Sequence, residues 1–222
     1  MSLYRELFGE TMPRCIALVG AGGKTTCIEA LAEELSPNAR VIITTTTKMH
    51  PPADRSLFCE SVAAAETRLR DMPVVWAGTY YNEYKMQGLP GALPDLCALA
   101  DYVLIEADGA RKHPLKMTDP SYEPQIPPEA RAVVAVAGMD GIGQPLELAV
   151  HRPQLAAEAL HLPLSHIITP ADVAALLRHC YRPDAVLLNK ADDQTKRTAA
   201  ETVARELKGI RCVITSLRAA RG

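Results

Sequence analysis

No stretch of the chain approaches the ~20 consecutive apolar residues that a helix needs to cross a bilayer. The leading MSLYRELFGETMPR carries acids and lacks an apolar core, so no secretory signal is expected there and the expected compartment is the cytoplasm. Charge of neither sign dominates. A formal net charge of −2 gives no global attraction to nucleic acid or to an anionic membrane. The six cysteines, Cys15, Cys27, Cys59, Cys97, Cys180 and Cys212, include no C-x-x-C pair, and the six histidines show no ligand spacing. A zinc site therefore has no sequence support, and the cysteines read as small buried hydrophobes.

What is present is apolar material for a core, 48% of 222 residues, at a length that suits one domain over residues 1–222. Strand-like runs near residues 15, 42, 75, 104, 134, 187 and 213 alternate with helical patterns. That alternation predicts an α/β fold with a mostly parallel central sheet and helices on both faces. Individual boundaries follow from capping and periodicity. A helix is expected over Lys24 to Leu35, another from Thr198 to Leu207, and a helix start at Thr169-Pro170-Ala171-Asp172. Thr79 to Lys85, rich in tyrosine, is expected to be a solvated turn rather than a hairpin against a partner.

The chain is organised around VGAGGKTT, residues 19–26. An apolar strand feeds a glycine-rich turn, then a lysine and two threonines open a helix. Unpaired N–H groups at a helix start, with the helix dipole, favour an anion there. Gly20, Ala21, Gly22, Gly23, Lys24, Thr25 and Thr26 are thus candidate nucleotide contacts. Lys24 would meet the outer phosphates and Thr25 would meet Mg²⁺. The standard pattern G-x-x-x-x-G-K-[ST] places its first glycine where this chain has Leu18, so the loop is shortened to G-A-G-G-K-T.

Three further stretches lie at the carboxyl ends of expected strands, where open α/β sheets bind ligands. Thr44 to Thr47 precede Lys48, with Thr45 a candidate Mg²⁺ ligand and Lys48 a candidate phosphate contact. Tyr102 to Gly109 ends in Glu106 and Asp108, which strand alternation places on one side. Such acids hold a metal or orient an attacking water, making Glu106 and Asp108, with Lys24, the candidate catalytic residues. Arg111, Lys112 and Lys116 follow on a proline-stiffened segment, where they would meet phosphate or an anionic substrate.

The last stretch runs from a strand into Asn189-Lys190-Ala191-Asp192. It resembles the N-K-x-D guanine-recognition motif of GTPases. A carboxylate at Asp192 can accept two parallel N–H bonds from guanine, and adenine lacks that donor pair. Asn189 and Lys190 would brace the loop, and Thr215-Ser216-Leu217 is where a second loop against the base is expected.

Taken together, VGAGGKTT, ITTTTKMHPP, LIEADGARKHPLK and LLNKADD resemble the YqeC family, regarded as accessory proteins of selenium-dependent molybdenum hydroxylases. The resemblance implies a P-loop NTPase-like fold, nucleotide binding and a role in maturing such a hydroxylase or its cofactor. The leading expectation is a Mg²⁺-dependent, GTPase-like accessory factor that prefers GTP over ATP. Alternatives are an ATP-dependent ligase or kinase acting on a small acid, and a non-enzymatic module switched by nucleotide. No nucleic-acid or membrane partner is expected.

Overall fold

The computed structural model describes residues 2–217. In chain order the elements are α1 (Leu3–Phe8), β1 (Cys15–Gly20), α2 (Lys24–Leu35), β2 (Val41–Thr45), β3 (Phe58–Cys59), α3 (Val62–Arg68), β4 (Val74–Ala77), β5 (Thr79–Asn82), β6 (Lys85–Gln87), α4 (Leu93–Leu99), β7 (Tyr102–Glu106), β8 (Leu115–Lys116), β9 (Ala132–Gly138), α5 (Leu146–Ala149), β10 (Val150–His151), α6 (Pro153–Leu160), α7 (Pro170–Cys180), β11 (Ala185–Asn189), α8 (Gln194–Glu206) and β12 (Arg211–Ile214).

Eight strands form one sheet in the order β12-β11-β9-β1-β7-β2-β4-β3. This is the α/β class with a large, mostly parallel central sheet that the sequence predicts. Every residue of β1, β2 and β11 is buried. Strands covered on both faces need no polar alternation, which is why CIALVG, VIITT and AVLLN read as nearly continuous apolar runs. Among the described residues, no helix is long and apolar enough to cross a membrane.

The chain divides into two units. Unit 1 is Met1–Leu18, Ile28–Gly109 and Gln125–Ala132, and unit 2 is Val19–Cys27, Ala110–Pro124 and Val133–Gly222. In unit 1, β1 pairs with β7, β7 with β2, β2 with β4 and β4 with β3, all parallel. The register sets Leu18 and Thr45 level with Glu106, so β2 and β7 end at one height while β1 runs two residues further. Thr79 to Lys85 lies in an antiparallel hairpin of β5 and β6 rather than a bare turn. The pairing is anchored by Met86, which is buried and exchanges both backbone bonds with Met49, at 3.1 and 2.9 Å. Its tyrosines Tyr80, Tyr81 and Tyr84 are exposed.

In unit 2, β11 pairs in parallel with β9 and with β12, and β8 pairs with β10 so that Lys116 lies opposite His151. Helix α7 begins with a capping box: Thr169 caps the Asp172 N–H, the Asp172 carboxylate accepts the Thr169 N–H, and Pro170 sits in the first turn. Helix α8 starts at Gln194, four residues before its expected start, because the Asp193 carboxylate accepts the Lys196 N–H and caps the chain there.

Candidate nucleotide site

In unit 2 the glycine loop leaves β1 and enters α2 at Lys24. Two of its N–H groups are committed to the protein. Ala21 donates to the Val136 carbonyl at 2.8 Å and Gly22 to the His113 carbonyl at 3.2 Å. The start of α2 is the part of the loop where a helix N-terminus faces an anion. These bonds also account for the shortened loop: β1 runs on as a strand through Leu18 to Gly20, and the turn is fastened from outside. Gly22 has φ +80°, and a Cβ there would lie 2.2 Å from the Gly138 nitrogen. Gly23 has φ +130°, and its Cβ would meet the Asn189 amide at 2.4 Å. Only glycine fits either position without displacing backbone or Asn189.

Lys24 is buried, and its ammonium donates to the Gly20 carbonyl at 2.8 Å. The side chain thus curls back over the loop. Thr25 and Thr26 are half-buried in the first turn of α2.

The end of β11 closes on this loop. The Asn189 amide donates to the Gly22 carbonyl at 3.0 Å and accepts the Leu217 N–H at 3.1 Å. One buried side chain therefore joins the glycine loop to the segment after β12. Ala191 donates to the Thr215 carbonyl at 3.0 Å, and the Ser216 hydroxyl donates to the Asp192 carboxylate. Asp192 is exposed, oriented by Ser216, and has Lys196 at 4.0 Å. Lys190 has φ 60°, and its ammonium pairs with Asp140 at 2.7 Å. The other Asp140 oxygen is buried without a partner. Asp140 escapes sequence reasoning because GMDGIG reads only as a flexible turn; an acid at a strand end was its one signal.

In unit 1, Glu106 and Asp108 are buried, at 7% and 0% exposure. Strand β7 stops at Glu106, so Asp108 lies beyond the strand and alternation does not set its direction. Three of the four threonines staple backbone. Thr44 donates to the Ala77 carbonyl at 2.8 Å, Thr45 to that of Glu106 at 2.7 Å and Thr46 to that of Gln125 at 2.6 Å. The Thr45 hydroxyl also accepts the Thr47 N–H at 2.9 Å and lies 3.2 Å from the Thr47 hydroxyl. Thr45 thus fixes the end of β7 with its one donor. Lys48 lies over the Tyr81 ring, 3.3 Å from its centroid. Among the described residues, no three His, Cys, Asp or Glu side chains are grouped to hold a metal.

The model of the YqeC protein family matches residues 16–154, more than half of the chain. The chain belongs to the YqeC family. It is 35% identical over 187 residues to the uncharacterized protein YqeC of Escherichia coli strain K12, an alignment covering 80% of this chain and 73% of the relative. The family match spans the glycine loop, the Thr44–Thr47 strand end, Glu106, Asp108 and the basic segment. Asn189 and Asp192 lie outside it.

Proposed function

We propose that this YqeC-family chain is a Mg²⁺-dependent, GTP-preferring nucleotide-binding protein with GTPase-like activity. Its partner is proposed to be a selenium-dependent molybdenum hydroxylase under maturation, from the resemblance of the four motifs. The observation that carries the nucleotide reading is Asn189, whose amide holds the Gly22 carbonyl while Asp192, three residues on, is oriented by Ser216. A loop suited to phosphate and a carboxylate suited to a base edge are thereby fixed to each other within one unit.

Lys24 is poised to neutralise the outer phosphates by turning from the Gly20 carbonyl to the anion. The start of α2 supplies N–H donors and a positive dipole end. Asp192 accepts the N1–H and exocyclic N–H of guanine. The residue types suit Mg²⁺, which takes hydroxyl and carboxylate oxygens and keeps several waters. Thr25, Glu106 and Asp108 are assigned to that ion by motif order in the sequence alone, while Thr45 braces the end of β7. Bound Mg²⁺ would draw charge from the β- and γ-phosphates. One of the acids orients the attacking water.

A second reading, a nucleotide-driven kinase or ligase acting on a small acid, draws support from the strained basic turn at Arg111 and Lys112. Calorimetric titration with GTP and with ATP in Mg²⁺ separates the readings. GTP should bind more tightly than ATP, Asp192→Ala should remove that preference, and Lys24→Ala should abolish phosphate release. Binding of neither nucleotide, or an ATP preference that survives Asp192→Ala, would overturn the proposal.

A further inference from the structure

Five non-glycine residues of the described chain have a left-handed backbone: Arg111, Lys112, Arg152, His161 and Lys190. Four of them are cationic. A side chain at positive φ is disfavoured and persists only where its surroundings over-determine it. His161 ends α6, and Lys190 is held by Asp140. The other three fall in one cluster of unit 2.

Arg111 and Lys112 are the central residues of a tight turn, closed by the His113 N–H on the Ala110 carbonyl at 3.0 Å. Glycine and asparagine normally fill such positions. Both cations are exposed. The ring of His113 stacks on that of His151, with centroids 5.7 Å apart. Arg152 pairs with Glu123, and its guanidinium lies 5.0 Å from the centre of the Tyr122 ring. The Lys116 ammonium, on a fully buried side chain, reaches the same Glu123 oxygen at 2.7 Å. Asp119 is the other carboxylate acting on Arg152. Arg111, Lys116 and Arg152 all act on His151, which lies in their midst. His151 registers these cations. Burial first, then the charges of Lys116, Arg152, His113 and Arg111, lower it to about 4.

We propose that Arg111, Lys112, His113, His151 and Arg152 form a second anion site that takes the dianionic phosphate group of a small-molecule phosphate monoester. Guanidinium groups match phosphate oxygens in fork geometry, and the imidazoles add N–H donors. Several clustered cations suit a doubly charged phosphate group. The segment is also tied to the glycine loop, by the Gly22 N–H on the His113 carbonyl and the Gly138 N–H on the Pro114 carbonyl at 2.9 Å. Occupancy of this site and of the glycine loop should therefore be coupled, and that coupling alone rests on the nucleotide reading.

The test is an NMR titration of the histidine side chains with inorganic phosphate. It is done in a Lys24→Ala background, which weakens capture of the probe by the glycine loop. Phosphate should perturb His113 and His151 and raise the His151 pKa from about 4. Affinity should fall at least tenfold in Arg111→Gly/Lys112→Gly, which relieves the strained turn and should not lower the thermal midpoint. Lys112→Gln alone should weaken phosphate binding without altering the backbone. An unperturbed His151, equal affinity with and without the two cations, or tighter binding of malonate than of phosphate would overturn the site. A chain that passes this test and binds no GTP overturns the proposed function and leaves the anion site standing.

Discussion

At the scale of the residue, His151 shows how position sets chemistry. Its pKa falls from the usual 6.5 to about 4 because burial and then neighbouring cations disfavour the charged ring. The unfolded chain therefore binds a proton more readily than the fold between these two values, so the fold loses stability as pH drops through that window. Denaturant melts at pH 7 and pH 5 check this: the wild type should lose more stability than His151→Asn, and parallel losses would contradict it. Glu123 acts in the same sense. Burial alone would raise its pKa, but the hydrogen bonds and charges of Arg152 and Lys116 outweigh that and hold it below the usual carboxylate range. Lys24, Asp192 and the glycines were legible because each sits in a motif whose chemistry fixes its spacing. Asp140, Glu123 and Arg152 were not, because their partners are distant in sequence: Lys190 is fifty residues from Asp140, and Arg152 twenty-nine from Glu123.

Among the elements, legibility followed length and burial. Strands β2, β7, β9 and β11 are apolar enough to be covered on both faces, and they stand out in the sequence. Two-residue strands such as β3, β8 and β10 carry no periodicity and arise only from pairing with distant partners. The hairpin of β5 and β6 is similar, since the Met49–Met86 bridge that anchors it is non-local. Helix α7 is the opposite case, with its start written out in Thr169, Pro170 and Asp172. Thr169→Ala should cost about 1 kcal/mol of stability, read by denaturant melting, and leave nucleotide affinity unchanged. A loss of nucleotide binding at undiminished stability would contradict a purely structural role.

For the whole molecule, each informative stretch leaves the carboxyl end of a strand. The unit that contains the glycine loop also contains Asn189, Asp192 and Ser216. The central claim is that Asp192 reads guanine. Asp192→Asn keeps size and shape and replaces two acceptors with one acceptor and one donor. Guanine offers two donors on that edge, whereas xanthine offers one donor and one carbonyl. Measured by calorimetry in Mg²⁺, the variant should lose GTP affinity by roughly a hundredfold, ~3 kcal/mol, and gain affinity for xanthosine triphosphate. Unchanged GTP affinity in Asp192→Asn, with no gain for the xanthine nucleotide, would contradict the account.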